Sequence, residues 1–463
     1  MKDVIRHLEI HPLRDMLYDE LHSRPFQVIP SPARITHIAL QVNEQQKLEQ
    51  FLHLQKLHEL LGYAIPETET HCYEQTFGNL RIRWEKHLEF TSYTFINLSP
   101  INPAPATPSD PFAEQGISVL PAGWLNQLPG TVIAAFHIAI EDARDSREPE
   151  PNEVKPWFEQ MRLIGSSPQN GDARVWTSFK LHSGGFGRFL VYNKRMSDSQ
   201  LGRLVQRLVE IETYRLMTLL ALPEARRTAP ILGDMDSQLA RVTESLAENG
   251  DADEDALLSE LTEMAARIEA FRAQTTFRFS ATRAYADLIR SRLDELREDE
   301  VSGHLTINEF LGRRLLPAVG TCNTVGERLE DLSRRVDRAS DMMRTRVEMA
   351  IQHQNRELLG SMDRRSKIQL MMQHTVEGLS VAAISYYLVG LVKYLLEALY
   401  GAGVAFDKAV ATGMMVPVVL LAVWLATRRI HHRFHALAAT ELSEGERPEA
   451  KAGKKRDERR KRD

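Results

Sequence analysis

Two uncharged apolar runs near the C-terminus dominate the hydropathy pattern, and the rest of the chain is organised ahead of them. The first, 378–392, carries no charge and reaches about 20 residues if Lys393 and Glu397 close its far end. The second, 409–427, is about 19 residues without a charge. At a rise of about 1.5 Å per residue, each is long enough to cross a hydrocarbon layer of about 30 Å. The pattern predicts a transmembrane hairpin over 364–434, with spans at about 378–397 and 409–427. Arg364, Arg365 and Lys367 precede the first run, and Arg428, Arg429 and Arg433 follow the second. The link offers Lys408 beside Asp407, with Lys393 near the helix end. That bias predicts both outer flanks in the cytoplasm and the 400–408 link outside.

Upstream the periodicity is mixed. Residues 34–42 (RITHIALQV) alternate apolar and polar as a half-buried strand does, and 46–61 carry a helical leucine stripe. Strands are expected at 71–77, 80–87 and 90–98, and a proline-rich loop at 99–111. A second set follows: a strand at 131–140, a helix at 153–164, and strands at 174–182 and 187–193. The order strand, helix, strand, strand thus occurs twice, at 34–87 and 131–193, without residue identity between the two. An α+β head with mainly antiparallel pairing is expected.

From Ser197 the pattern turns helical. Ser197 and Gln200 have the spacing of a capping box, and the helix they open should end before Pro223. Pro223 and Pro230 are expected to flank a linker. Leu261, Ile268, Thr275, Thr282, Ile289 and Leu296 recur every seven residues, an approximate heptad seam. Thr306 and Glu309 cap a further helix that meets Pro317. After Gly326 an apolar stripe resumes, and one helix of roughly 110 Å from there to Leu399 is expected. Such a helix needs partners, either the 235–300 helices or copies of itself. Gly378 and Ala382, four apart, form a small-xxx-small patch that favours close helix association.

Composition narrows the chemistry. A net charge of −5 argues against a general nucleic-acid binder, which needs a basic face. The two cysteines, Cys72 and Cys322, match no zinc or disulfide spacing and suit a reducing compartment. The opening MKDVIRHLEIHPLRD lacks an apolar stretch, so no signal peptide is expected. His11, Glu20, His22 and Arg24, in a short helix ended by Pro25, either converge on an anion or metal or tether the N-terminus. His37, His71, His87, Glu89 and His137 lie in or near strands, where they either cluster or decorate polar faces. SGGFGR at 183–188 lacks the spacing of a phosphate loop and reads as a hairpin turn. No catalytic constellation is visible, so no enzyme activity and no cofactor are expected. In the first span Glu377, Ser380 and Tyr387 share the spacing of pore-lining positions, or their hydroxyls bond within and between helices. The tail from Glu444 mixes basic and acidic residues, is expected to be disordered, and would be drawn to an anionic leaflet.

The blocks HPLRDMLYDELHSRPF (11–26) and SMDRRSKIQLMMQHTVEGLSVAAISYYLVGLVKYL (361–395) resemble a proteobacterial family of membrane-anchored proteins of unknown function. More distantly, the layout is similar to the CorA-type magnesium transporters: a cytoplasmic α/β domain, a long helix entering the first span, a short outer loop and a second span. That family carries Gly-Met-Asn at the outer end of its first span, where this chain has Tyr400, Gly401, Ala402 and Gly403. Any shared architecture therefore comes with an altered filter.

The expectation is an α+β cytoplasmic head (1–222), a long helical coiled-coil region (223–363), a C-terminal two-helix transmembrane hairpin (364–434) and a basic tail (435–463). The chain should sit in a bacterial inner membrane with both termini cytoplasmic, as a homo-oligomer without nucleic-acid partners. Its head should bind a ligand or partner; the alternative is a CorA-like channel.

Overall fold

A computed structural model of the protein describes residues 11–14, 17–18, 26–66, 71–99, 110–144, 147–247, 254–402 and 407–445. It divides into two compact units, Met1–Arg344 and Thr345–Asp463.

The first unit is built on a nine-stranded sheet. Strand β1 (Ala33–Gln41) feeds α1 (Glu44–Leu61), which opens on a capping box between Asn43 and Gln46 and closes on Gly62. Gly62 has φ 73°, a left-handed conformation that a side chain would disfavour. A meander follows through β2 (Cys72–Phe77), β3 (Leu80–Lys86) and β4 (Phe90–Asn97), and β4 returns beside β1. Strand β5 (Thr131–Asp142) pairs with the other edge of β1. With β6 (Ile164–Ser167), β7 (Ala173–Thr177), β8 (Gly187–Asn193) and β9 (Asp299–Glu300), the order is β2-β3-β4-β1-β5-β8-β7-β6-β9. The β5·β8 pair is parallel and the other pairs are antiparallel, as an α+β head with mainly antiparallel pairing requires.

The two halves mirror one another in order, 2-3-4-1 against 5-8-7-6. They differ in sense, because β4 runs antiparallel to β1 whereas β8 runs parallel to β5. A duplicated unit would keep one sense, so the similarity ends at strand order. The helix expected at 153–164 is also different. Pro151–Val154 form one helical turn and Lys155–Phe158 a 3-10 turn. Glu159 and Gln160, at φ 53° and 58°, then turn the chain into β6. Val154, Phe158 and Leu163 are buried in one cluster with Trp176, so packing outweighs the helical periodicity.

The helices that follow cover the face of the sheet opposite α1. α2 (Asp198–Leu219) starts at the expected Ser197/Gln200 capping box. Its Leu201, Leu204, Leu208 and Ile211 bury against Ile35, Phe136 and Val191. α3 (Leu222–Ala247) overturns the expected linker between Pro223 and Pro230. Pro223 occupies the first turn, where its missing N–H is not needed, and Pro230 sits inside the helix. The interior proline costs about 3 kcal/mol, which burial of Ala225, Leu232, Met235 and Leu239 opposes.

α4 (Glu254–Leu296) buries every position of the heptad seam. Leu261, Met264 and Ile268 pack in one cluster with Leu232 of α3 and Leu332 of the helix that begins at Ile307, and Ile289 and Leu296 join the sheet core. The seam is therefore satisfied inside this chain rather than between copies. α5 (Ile307–Gly401) passes straight through Pro317 and Gly326 instead of restarting after them. Thr306 Oγ1 accepts from Glu309 N at 3.1 Å while the Glu309 carboxylate accepts from Thr306 N at 3.2 Å. Thr306→Ala should lower the stability of the full chain by about 1 kcal/mol in a denaturant melt; an unchanged midpoint would show that this cap is idle.

In the second unit, α5 continues and α6 (Lys408–Gly445) begins after Asp407, whose Oδ1 accepts from Ala409 N at 2.9 Å. Each helix holds a stretch long and apolar enough to cross a membrane, of which 6% and 11% is buried within the chain.

Candidate functional site

Strand alternation sorts the sheet into two chemistries. One face of β1 to β4 carries Ile38, Leu40, Ile82, Trp84, Tyr93 and Phe95, and packs on Phe51, Leu54 and Leu57 of α1. The opposite face should be apolar too, because α2 covers part of it, yet it presents a polar row. Register places Arg83 of β3 opposite Thr94 of β4, Thr94 opposite His37 of β1, and His37 opposite Phe136 of β5. In the row above, Glu85 stands opposite Ser92, and Ser92 opposite Ala39. These rows line a cavity of about 80 Å³ beneath α2, with His37, Arg83, Glu85, Ser92 and Thr94 on its sheet side. Gly202, Val205, Val209 and Thr213 of α2 form its roof, and Gln27 and Ile29 line it as well.

His37 lies at the centre. Its Nδ1 shares a hydrogen bond of 2.9 Å with Thr94 Oγ1, the direction depending on the tautomer, and its ring centroid lies 5.2 Å from that of Phe136. Burial pushes its pKa down to about 3, against the opposing pull of the Glu85 carboxylate. The imidazole is therefore neutral at ordinary pH. Arg83, also buried, bonds to Glu85 at 2.8 Å and lies 3.7 Å from Glu74. The fixed charges here are thus largely compensated.

His37 Nε2, Gln27 Nε2 and Thr213 Oγ1 are buried with no hydrogen-bond partner among the described residues. A buried polar atom left without a partner costs about 1–3 kcal/mol. Three of them around one cavity supply an amide donor, a hydroxyl and an imidazole nitrogen to whatever small polar molecule enters. Gly202 makes the geometry feasible: a Cβ there would stand 1.7 Å from the Gln27 carbonyl oxygen.

The expected site residues distribute differently. Glu20, His22 and Arg24 lie outside the described residues, and His11 is exposed, its Nδ1 accepting from Leu13 N at 3.2 Å. Of the strand set, His37 and His87 line the same cavity. Glu89 instead accepts from Arg278 at 2.9 Å and Tyr285 Oη at 3.4 Å. His137 pairs with Thr36 Oγ1 and stacks on Phe186, in the row of Thr36 rather than that of His37. Among the described residues no group of three or more His, Cys, Asp or Glu is placed to hold a metal ion. The 183–186 segment joins antiparallel β7 to β8 as a turn, with Gly185 N donating to His182 O at 2.8 Å.

In the second unit, Glu377 lies 3.7 Å from His374, and Ser380 Oγ donates to Val376 O at 2.8 Å. Tyr387 is exposed, its ring centroid 5.9 Å from that of Tyr386.

Sequence reasoning passed over Gln27, Arg83, Glu85, Thr94 and Thr213. Their signal was the alternation of Arg81, Arg83 and Glu85 along one strand, which reads as a solvent face until a helix is laid over it. No curated protein and no solved structure matches the chain. Over residues 9–434, however, it matches the model of a family described as protein of unknown function (DUF3422), and the chain belongs to that family.

Proposed function

We propose that the protein is a membrane-anchored binding protein, whose first unit takes a small polar ligand in the cavity around His37. The observation that carries the anchoring is exposure. Leu379, Ile384, Leu391, Leu395, Leu421 and Leu425 are each at least half exposed within the chain. The core helix of a soluble protein buries such residues, whereas a spanning helix presents them to lipid. The Lys/Arg flanks favour cytoplasmic ends. Homo-oligomerisation through Gly378 and Ala382 fits the same exposure, since a Cβ at Gly378 would meet nothing within 4 Å. Binding rather than catalysis fits a cavity with compensated charges and three unsatisfied polar atoms. A CorA-like conduction path draws no support from Ser380, whose hydroxyl is already bonded to its own helix.

The test has two arms. The full chain should stay in the membrane pellet through alkaline carbonate and crosslink as oligomers after detergent extraction; release into the supernatant would sink the anchoring, and monomers alone the assembly. Small carboxylates, polyols and amides are then screened for a rise in melting temperature that His37→Leu abolishes. A screen with no such rise overturns the cavity as a ligand site.

A further inference from the structure

A second cleft, elsewhere in the first unit, has the opposite electrostatic character. It lies among α2, the 178–180 turn after β7, and the first turns of α5, and encloses about 590 Å³. Arg162, Lys180, Arg215, Arg313 and Arg314 line it, and among the described residues no acidic side chain does. In a chain of net charge −5, five cations around one opening are not a sampling of the surface.

Of these five, Arg215 alone has a carboxylate partner among the described residues. Glu212 takes its guanidinium at both ends, at 2.7 and 2.6 Å, and both side chains are largely buried. Arg162, Lys180, Arg313 and Arg314 have no ion pair among the described residues, and all four are exposed. Other arginines on these helices do pair: Arg207 with Glu295, Arg328 with Asp236 and Arg334 with Asp331.

The floor is aromatic and held in an uncommon conformation. Phe179 has φ 51°, a left-handed backbone that bulky residues rarely adopt. Its ring lies parallel to Phe310 at 5.2 Å, with the Arg215 guanidinium 5.3 Å from its centroid. Strain of this kind persists where surrounding contacts hold it, and such positions gather at binding sites. The chemistry is thus a ring of unpaired cations above an apolar plate. Arginine matches phosphate oxygens in two-pronged geometry, and the plate suits an organic group attached to the phosphate.

We infer that this cleft binds a phosphate ester, with the phosphate among Arg162, Lys180, Arg313 and Arg314 and the organic part on Phe179 and Phe310. The phosphate belongs either to a soluble metabolite or to an anionic lipid headgroup, and the cleft's chemistry is the same for both. The proposal does not depend on the His37 cavity.

Full-length protein in neutral detergent would be titrated calorimetrically with inorganic pyrophosphate, with ATP and with short-chain phosphatidic acid, phosphatidylcholine serving as the lipid control. Binding of pyrophosphate or ATP identifies a soluble ligand class, and binding of phosphatidic acid alone identifies a lipid headgroup. The paired changes Arg313→Gln with Arg314→Gln, and Arg162→Gln with Lys180→Gln, should each weaken the bound probe about tenfold or more. Arg334→Gln, a paired arginine elsewhere on α5, should leave the affinity unchanged. All these side chains are exposed, so unchanged melting temperatures certify folding, and a probe-induced rise in melting temperature gives a second readout. Failure of every probe to bind wild type, or binding by both double variants as tight as that of wild type, overturns the inference.

Discussion

Gly202→Ala will destabilise the protein by on the order of 3 kcal/mol, although alanine is the better helix former. In an open helical position that substitution helps by up to about 1 kcal/mol, since glycine loses more backbone entropy on folding. Position 202 reverses the sign because the added Cβ would lie 1.7 Å from the Gln27 carbonyl oxygen and 2.9 Å from its carbon. Both are backbone atoms, so no side-chain rotation relieves the overlap. The Gln27–Ile29 segment must move off α2, breaking the bond from Ile29 N to Asp198 O at 3.2 Å. Gly233 and Gly320, helical positions where a Cβ meets nothing within 4 Å, supply the internal contrast. Their alanine variants should be neutral or more stable in the same urea titration. A Gly202→Ala protein as stable as wild type would remove the close approach that roofs the His37 cavity.

Acid will unfold the protein through its buried histidines. Burial lowers His37 to about 3 and His137 to about 4, from the ordinary imidazole value of 6.5. Glu85 opposes the shift at His37 while His87 and Arg83 add to it; Arg188 and His182 add to it at His137. Between pH 6.5 and these lowered values the unfolded chain binds protons that the folded chain refuses. Stability therefore rises with pH across that window and is fully present above it. At pH 5 each histidine should cost about 2 kcal/mol relative to pH 8, or about 4 together. Urea midpoints measured at pH 8 and pH 5 report this loss together with that from His53, His58 and His182, which burial also lowers, and His37→Gln should remove about 2 kcal/mol of it. A midpoint that does not fall at pH 5 would mean that these imidazoles already reach water in the folded state.

Local sequence carried much of the secondary structure. The alternation at 34–42, the strands of the meander, the Ser197 and Thr306 caps and the two apolar runs are short-range signals, and each element forms near where its pattern ends. Such signals mislead where distant packing competes with them. Pro230 and Pro317 looked like helix breakers, but burial along α3 and the first part of α5 continues the helices through them. The 153–164 stretch has helical periodicity, yet its apolar residues are needed by Trp176 and Leu190 across the sheet.

What the sequence determined by itself was therefore the class of the molecule. Period-two and period-3.6 hydrophobicity define the α+β part and the helices, and two long uncharged runs set apart the C-terminal unit. Tertiary structure alone decided the sites. His37, Arg83 and Thr94 come from three strands, and strand order with register, not spacing along the chain, puts them in one row. Arg162, Lys180, Arg215 and Arg314 meet only because a helix start, a strand turn and another helix share one corner of the fold. Side chains far apart in sequence are brought together by pairing and packing free energies summed over whole elements, and no local pattern encodes that sum.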